Sequence, residues 1–203
     1  MNAIVANMLK DYRTTSPYGK RIDPITGSNA YHSGVDLVKG NRQPIYAFVP
    51  GTVVHARMGV TGSGFGGYGN VVAIRDKNGN VHLYAHLDSI SVQEKEIVLT
   101  GGAVGTQGAT GRATGSHLHY EVRINGVLHS HVEPINYLQN YYKGESALEV
   151  KVAQMGNVRI KMGDKEFQGV VIDGVSYAPV RAVADAIGKA VEWDAQTKTA
   201  EIK

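Results

Sequence analysis

The feature that most restricts how this 203-residue chain can fold is the distribution of its glycines. Twenty of the 25 glycines precede residue 146, where they separate short runs rich in β-branched residues, such as 71–74 and 121–124. Such runs are typical of strands, and the Asn-Gly pairs at 78–79 and 125–126 are typical of hairpin turns. No long helical periodicity interrupts them. The pattern predicts a mainly antiparallel β domain with its site in a groove across one sheet.

Five residues stand out as candidates for chemistry: His32, Asp36, His86, His117 and His119. The last two are two positions apart in a strand-like run, so both imidazoles should point to one side of a strand. Gly34 and Val35 argue against a helix between the first two, and we expect a loop that leads into a strand at 36–38. Alternation in residues 81–87 predicts that His82, Tyr84 and His86 share one face.

This set of side chains suits zinc. Zinc in catalytic sites usually takes three protein ligands and keeps a fourth position for water. The ion lowers the pKa of that water and so provides a nucleophile at neutral pH. Three ligands drawn from this set would leave two imidazoles for acid–base chemistry.

The other histidines carry weaker signals. We interpret His55 and His82 as partly buried or surface residues without a functional partner. His129 and His131 form a second His-x-His motif, but isolated motif matches are weak evidence, and we interpret this one as a loop or strand end. The glycine-rich segment 59–69 is expected to form one flexible wall of the groove. A nucleotide-binding loop is excluded there, because the P-loop lysine and a following helix are missing.

The sequence resembles the lysostaphin-type, LytM-like zinc metallopeptidases of peptidase family M23, which are peptidoglycan endopeptidases. The resemblance covers roughly residues 14–140. Its segments are the opening 16–24, a hairpin at 44–47 and 51–54, a strand at 67–72, the turn 108–111, and the motifs around the five candidates. One family feature is missing, because the tyrosine that the lysostaphin branch has before its first ligand is replaced by residues 26–30. Arg21 is a candidate substitute.

The resemblance implies that His32, Asp36 and His119 bind Zn²⁺ and that His86 and His117 are the non-ligand catalytic histidines. It implies a zinc endopeptidase that cleaves stems or cross-links of peptidoglycan and so lyses the cell wall. One imidazole would assist deprotonation of water, and the other would stabilise the oxyanion or protonate the leaving amine. The alternatives are a non-catalytic wall-binding or regulatory relative and a general protein metallopeptidase. The chain keeps all five residues, which favours the enzyme.

Residues 146–203 change character and are expected to form a second, small α+β module after an endopeptidase domain at 1–145. Strands are expected at 150–152, 158–161, 190–193 and 199–202, with a hairpin at 170–177 that turns at 173–174. A helix is expected from Pro179 to Ile187, with Gly188 as its cap. The segment resembles the module named after the N-terminal domain of copper amine oxidases. It contains no histidine, so we expect wall targeting there and no copper site.

Composition bounds the partners and the location. Residues 1–145 hold 13 Lys and Arg against 10 Asp and Glu, an excess that suits an anionic cell wall but is too small for a nucleic-acid groove. No apolar run approaches the length of a membrane span, and the absence of cysteine excludes thiolate metal sites. The first nine residues lack a positively charged segment, which predicts no signal peptide. We therefore expect cytoplasmic synthesis and release to the wall, as in phage endolysins, with a bacterial enzyme trimmed of its signal as the alternative.

Overall fold

The structure, a computed structural model, describes residues 2–143, 158–162, 165–172, 175–177, 191–194 and 199–202. The chain divides into two units, Met1–Lys143 and Gly144–Lys203. All five candidate residues lie in the first unit.

An eight-stranded antiparallel sheet forms the centre of the first unit. Its spatial order is β1 (Arg13–Ser16), β4 (Val35–Val38), β12 (Leu118–Arg123), β8 (Val81–Leu87), β7 (Asn70–Arg75), β6 (Gly51–Met58) and β10 (Ile97–Val98), with β13 (His131–Val132) also paired to β12. The predicted turn at 78–79 joins β7 to β8, and Gly79 takes a φ of 83° there. The prediction of a mainly antiparallel β fold is confirmed.

Two smaller sheets complete this unit: β5 (Pro44–Tyr46), β11 (Ala103–Thr106) and β9 (Ser89–Ile90) form one, and β2 (Gly19–Ile22) and β3 (Asn29–His32) form the other. The predicted hairpin between 44–47 and 51–54 is wrong, because β5 pairs with β11 while β6 pairs with β7 and β10. The residues between them cross the core instead of turning. Phe48 and Val49 are buried, and Phe48 N donates to the Tyr84 hydroxyl at 2.7 Å.

Two short helices were not predicted: α1 (Ala3–Leu9) and α2 (Pro134–Tyr141). The Asn2 side chain caps α1 by accepting from Ile4 N at 2.9 Å. The Glu133 carboxylate caps α2, and Pro134 occupies the first turn, where its missing N–H costs nothing. Each helix buries a fully inaccessible residue, Val5 and Leu138, against the sheet. Neither described helix is long and apolar enough to span a membrane.

Strands β8 and β12 lie at the centre of the sheet and are buried along their whole length. One face packs into the large core, to which Tyr84, Tyr120 and Val122 belong. The other face carries a smaller cluster: Val71, Ala73, Val81, Leu83 and Ala85, beneath Phe65 and Tyr68 of the glycine-rich segment. His119 pairs directly with Ala85 and so lies on this second face.

A β-bulge moves His86 onto that second face. Val72 pairs with Tyr84, and Asn70 pairs with Leu87. Between these two pairs β8 has two residues where β7 has one, so β8 contains one extra residue. His86 takes up the extra step with a φ of 61°. The prediction that it shares a face with His82 and Tyr84 is therefore wrong, since a bulge re-aims the side chain that alternation would send into the core.

The described residues of the second unit are all strands. β14 (Val158–Met162), β15 (Lys165–Ile172) and β16 (Val175–Tyr177) form an antiparallel sheet, and β17 (Val191–Asp194) pairs with β18 (Thr199–Ile202). The predicted hairpin at 170–177 is confirmed by the pairing of Ile172 with Val175. The strand predicted at 150–152, the turn at 173–174 and the helix from Pro179 to Gly188 lie outside the described residues.

Candidate metal centre and active site

Three of the predicted site residues meet in one buried triangle of donor atoms. His32 ends β3, Asp36 lies on β4, and His119 lies opposite Asp36 on the neighbouring β12. His32 Nε2 and His119 Nδ1 are each 3.0 Å from Asp36 Oδ1 and 3.0 Å from each other. They form the one group of three potential metal-binding side chains found among the described residues.

The outer contacts of both imidazoles fix which nitrogen carries the proton. His32 Nδ1 lies 2.8 Å from Pro17 O, and a carbonyl only accepts, so Nδ1 is the donor and Nε2 keeps its lone pair. His119 Nε2 lies 3.4 Å from Glu121 Oε2, and in the tautomer in which Nε2 donates to this carboxylate, Nδ1 keeps its lone pair. Three lone pairs, two from nitrogen and one from Asp36, therefore converge on one point.

This arrangement fits a zinc ion. Bond lengths of about 2.0–2.1 Å in a tetrahedral site correspond to donor separations of about 3.3–3.4 Å, close to the 3.0 Å edges of the triangle. An imidazole that binds zinc usually donates its other N–H to a carboxylate or a carbonyl, as both do here. The residues present are therefore suited to hold a zinc ion.

Gly34 allows the strands that carry the ligands to approach this closely. A Cβ at this position would lie 2.4 Å from Tyr120 O and 2.8 Å from His119 Nε2. Any other residue would therefore push β12 and its imidazole away from the loop between His32 and Asp36.

His86 faces the triangle with a neutral imidazole. Its Nδ1 lies 2.8 Å from Thr110 O, so Nδ1 carries the proton and Nε2 is free to accept one. Burial, followed by the neighbouring His119, lowers the pKa of His86 to about 4. The Thr110 hydroxyl donates to Leu87 O at 2.7 Å and accepts from Asn70 N at 2.9 Å, which holds the carbonyl-bearing loop against the bulge.

His117 completes the set just before β12. Its Nδ1 lies 2.8 Å from Gly115 O, so this nitrogen donates, and its Nε2 lies 3.5 Å from Asp36 Oδ1. The ring centroids of His117 and His86 are 4.8 Å apart. Both imidazoles are thus oriented by backbone carbonyls, and both present a free nitrogen near the triangle.

Glu121 connects the ligand His119 to two walls of the site. Its Oε2 accepts from Ser33 Oγ at 2.5 Å and from the Tyr68 hydroxyl at 2.7 Å, and its Oε1 accepts from Arg123 Nε at 2.5 Å. Burial opposes its ionisation, but the bond from His119 and the charge of Arg123 prevail and lower the pKa of Glu121 to about 2. Burial and this carboxylate raise the pKa of Tyr68 to about 12, which keeps the phenol a donor.

Arg21 contacts the other oxygen of the aspartate ligand. Its Nη1 donates to Asp36 Oδ2 at 3.0 Å and to Ser16 Oγ at 2.7 Å. The role of Arg21 as a substitute for the missing tyrosine stays a prediction, and its observed contact is with the ligand.

Two neighbouring cavities open beside the triangle. The one of about 210 Å³ reaches His32, His86 and His119 and includes the glycine-rich segment at residues 66–68. The other, of about 670 Å³, lies beyond Tyr31 and Tyr68 and includes Thr61, Gly62 and Gly64 of the same segment. The predicted role of residues 59–69 as a wall of the groove agrees with both linings.

The remaining histidines lie outside the triangle. The prediction that His55 and His82 are partly buried or surface residues is wrong, because both are buried. His82 lies 2.7 Å from the Tyr120 hydroxyl through Nδ1 and 3.2 Å from Asp76 Oδ2 through Nε2, and His55 stacks on Phe65. His131 opens β13 and stacks on Tyr31, and His129 lies in the connection before it, so a loop or strand end is the correct description.

Comparison with known proteins identifies two families along the chain. The sequence model of peptidase family M23 matches residues 30–134, and that of the copper amine oxidase N-terminal domain matches residues 154–203. The DD-carboxypeptidase/endopeptidase Mpg of Neisseria meningitidis serogroup B is 40% identical over 124 residues, which are 61% of this chain and 26% of Mpg. The murein hydrolase activator NlpD of Escherichia coli is 33% identical over 120 residues, which are 59% of this chain and 29% of NlpD.

The chain thus spans about a quarter of the length of the curated relatives it matches. Among solved structures, the catalytic domain of the antimicrobial peptidase lysostaphin from Staphylococcus simulans superposes with a TM-score of 0.58 at 29% identity. That match covers 66% of this chain and 97% of the lysostaphin domain.

Proposed function

The chain belongs to peptidase family M23, and from its site we propose that it is a zinc-dependent endopeptidase that cleaves peptide bonds in the stems or cross-links of peptidoglycan. The observation that carries the proposal is the meeting of three potential metal-binding atoms, from His32, Asp36 and His119, beside the two further imidazoles of His86 and His117, whose ring centroids are 4.8 Å apart. The names of Mpg and lysostaphin, both peptidases, support the reaction class.

His32, Asp36 and His119 would hold the metal, which when bound lowers the pKa of water and polarises the scissile carbonyl. The Pro17 carbonyl and the Glu121 carboxylate keep the two imidazoles in the tautomers that binding requires. Arg21 binds Asp36 Oδ2 and so leaves Oδ1 as the oxygen that faces the triangle.

His86 and His117 would move the protons. His86 is the candidate general base, because the bond from Nδ1 to Thr110 O leaves Nε2 free to accept a proton. His117 is more exposed, and its Nε2, once protonated, can donate to the oxyanion or to the leaving amine. In the hydrolysis, the hydroxyl of water joins the carbonyl carbon, the C–N bond breaks, and the proton from the water goes to the amine nitrogen.

The name of NlpD supports a second candidate, a protein that activates other hydrolases without cutting the wall itself. All five site residues are present and lie close together, which favours the enzyme. Purified sacculi and casein should be incubated separately with the zinc-loaded chain, and the products identified by mass spectrometry. New amino termini from sacculi alone support the proposal, whereas intact sacculi support the activator and fragments from casein support a general peptidase.

Two further proposals concern the organisation of the chain. Residues 1–145 should cleave soluble muropeptides without the rest, because every site residue lies within them. Residues 146–203 should direct the enzyme to the wall, and this segment alone should co-sediment with sacculi. Segments that stay in the supernatant with sacculi from every candidate host would exclude targeting. Release to the wall in the manner of a phage lysin stays a proposal of the same standing.

A further inference from the structure

Arg112 and Asp23 form an ion pair in the lining of the cavity that reaches the triangle. Arg112 Nη2 lies 3.0 Å from Asp23 Oδ1 and 2.9 Å from Asp23 Oδ2. Both residues line the 210 Å³ cavity together with His32, His86 and His119. A guanidinium is therefore present where a substrate of the proposed enzyme has to lie, and a carboxylate of the chain itself already occupies it.

The two partners differ in how firmly they are held. Asp23 is fixed by its own turn, because Oδ1 also accepts from Ile25 N and Thr26 N, each at 2.9 Å. The Arg112 side chain is 52% exposed, and Asp23 is the one side-chain partner found for it among the described residues. Arg112 can therefore exchange its partner while the turn around Asp23 stays intact.

The main chain places Arg112 on the rim that also orients the catalytic base. Arg112 N donates to Gly67 O at 2.8 Å, and the carbonyl two residues earlier, Thr110 O, holds His86. Gly111 has a φ of 74°, and a Cβ there would lie 2.3 Å from Gly69 N. The position of Arg112 relative to the bulge is thus fixed by a close contact between two glycine-containing loops.

We propose that Arg112 is a subsite for a free carboxylate of the substrate, and that Asp23 occupies it in the resting enzyme. Guanidinium groups recognise carboxylates through charge-assisted hydrogen bonds, and Asp23 already makes this kind of contact, with both of its oxygens on Nη2 of Arg112. The inference rests on the proposed endopeptidase function and narrows it to peptides that carry a free carboxylate within a residue or two of the scissile bond. Binding of such a substrate would exchange one carboxylate for another at Arg112.

A matched pair of substrates tests this subsite. Soluble cross-linked muropeptides are divided in two, and one half is treated with carbodiimide and ammonium to convert its free carboxylates to amides. The wild-type chain should cleave the untreated half with a kcat/KM about tenfold higher, mostly through KM, because one charge-assisted pair at a half-exposed position is worth about that factor. Equal rates for the two halves overturn the subsite but leave the proposed function standing. Cleavage of neither half overturns both.

Two substitutions distinguish a substrate-binding role of Arg112 from a purely structural one, in which the ion pair with Asp23 only joins two loops. Arg112→Gln should remove the preference for the untreated substrate. Asp23→Asn keeps the oxygen that accepts from Ile25 N and Thr26 N but removes the competing charge, so it should lower KM for the untreated substrate several-fold. If the ion pair were purely structural, KM would instead shift in the same direction in both variants and for both substrates, and that result would overturn the proposal. Arg57→Gln, which breaks the surface pair with Glu94, serves as the control and should leave the preference unchanged.

Discussion

Two histidine–aspartate clusters lie on opposite faces of β8 and β12, and they use the same residue types for opposite purposes. In the triangle of His32, Asp36 and His119, two ring nitrogens and a carboxylate oxygen lie 3.0 Å from one another, and the other nitrogen of each ring faces an acceptor outside the triangle. In the second cluster, His82 lies between Asp76 Oδ2 and the Tyr120 hydroxyl, and Tyr137 donates to the same Asp76 oxygen at 2.5 Å. Every polar atom named in the second cluster therefore has a partner of the opposite kind.

The difference shows what distinguishes a candidate metal site from a closed hydrogen-bond network. Burial is similar, since His32 and His82 are 2% and 0% exposed, and a His–Asp contact occurs in both clusters. The distinguishing feature is the set of outer contacts, which turn the donors of the triangle outward and leave acceptors inside. A closed network of alternating donors and acceptors has no place for a cation and instead holds the helix of Tyr137 against the sheet.

Removing a ligand from the triangle should have the largest effect. In His119→Ala, two protein ligands remain, so zinc should be lost and activity with it, whereas His82→Asn should keep about one zinc per chain. Zinc content after dialysis is measured by inductively coupled plasma mass spectrometry, together with muropeptide digestion. Retention of zinc by His119→Ala would contradict metal binding by the triangle, and loss of zinc from His82→Asn would contradict a purely structural role of the His82 cluster.

Removing an imidazole beside the triangle should separate catalysis from binding. His117→Ala leaves all three ligands in place, so zinc content should stay near one per chain. Turnover should fall by about 10²–10⁴-fold, the usual contribution of a positioned acid–base group. His129→Ala and His131→Ala are the matched controls from the second His-x-His motif and should retain zinc and most activity. Zinc loss in His117→Ala would make it a ligand.

Changing the outer contact of a ligand should have an intermediate effect. Glu121→Gln keeps the size of the side chain but removes the charge that His119 and Arg123 face. Zinc affinity should fall by about 10–100-fold, as expected for an outer partner of a ligating histidine. Titration against a competing chelator measures the dissociation constant. An unchanged constant would show that backbone geometry alone orients His119.

The second cluster, around His82, should have the smallest effect, which is a dependence of the free energy of unfolding on pH. Burial lowers the pKa of His82 below its usual value, so between that pKa and about 6.5 the unfolded chain binds a proton that the folded chain does not. The free energy of unfolding should therefore fall as pH decreases below 6.5, by up to about 1.4 kcal/mol per pH unit for this residue. Urea denaturation at several pH values measures this dependence. The free energy of unfolding should change less steeply with pH in His82→Gln than in the wild type. Equal slopes would mean that His82 does not titrate on unfolding.

The sequence was sufficient for features that short-range patterns encode. Glycine-bounded runs predicted the strands, and the resemblance to a known family predicted which residues meet. It failed where the chain departs from regular alternation or turns into another sheet, as at His86 and between β5 and β6. Helices α1 and α2 are seven and eight residues long, too short for a clear period, although the capping residues Asn2 and Glu133 were visible.

The partners that orient the catalytic imidazoles could not have been found from sequence. Thr110 and Gly115 act through backbone carbonyls, which every residue possesses, so the residue type carries no signal. Glu121 was visible two positions after His119, on the same strand face by alternation, and this spacing is the signal that could have identified it. The burial of His82 depends on Asp76, Tyr120 and Tyr137 meeting around it, which is a property of the fold.

The bulge at His86 makes the length of β8 as important as its composition. Strand side chains alternate with a period of two, so one extra residue acts as a phase shift that reverses everything beyond it. Deleting Leu87, the residue after His86, would keep every side chain of the site in the sequence, but alternation from Tyr84 would then point this imidazole into the apolar core. Homologues aligned through this strand should therefore be checked for gaps before they are checked for histidines.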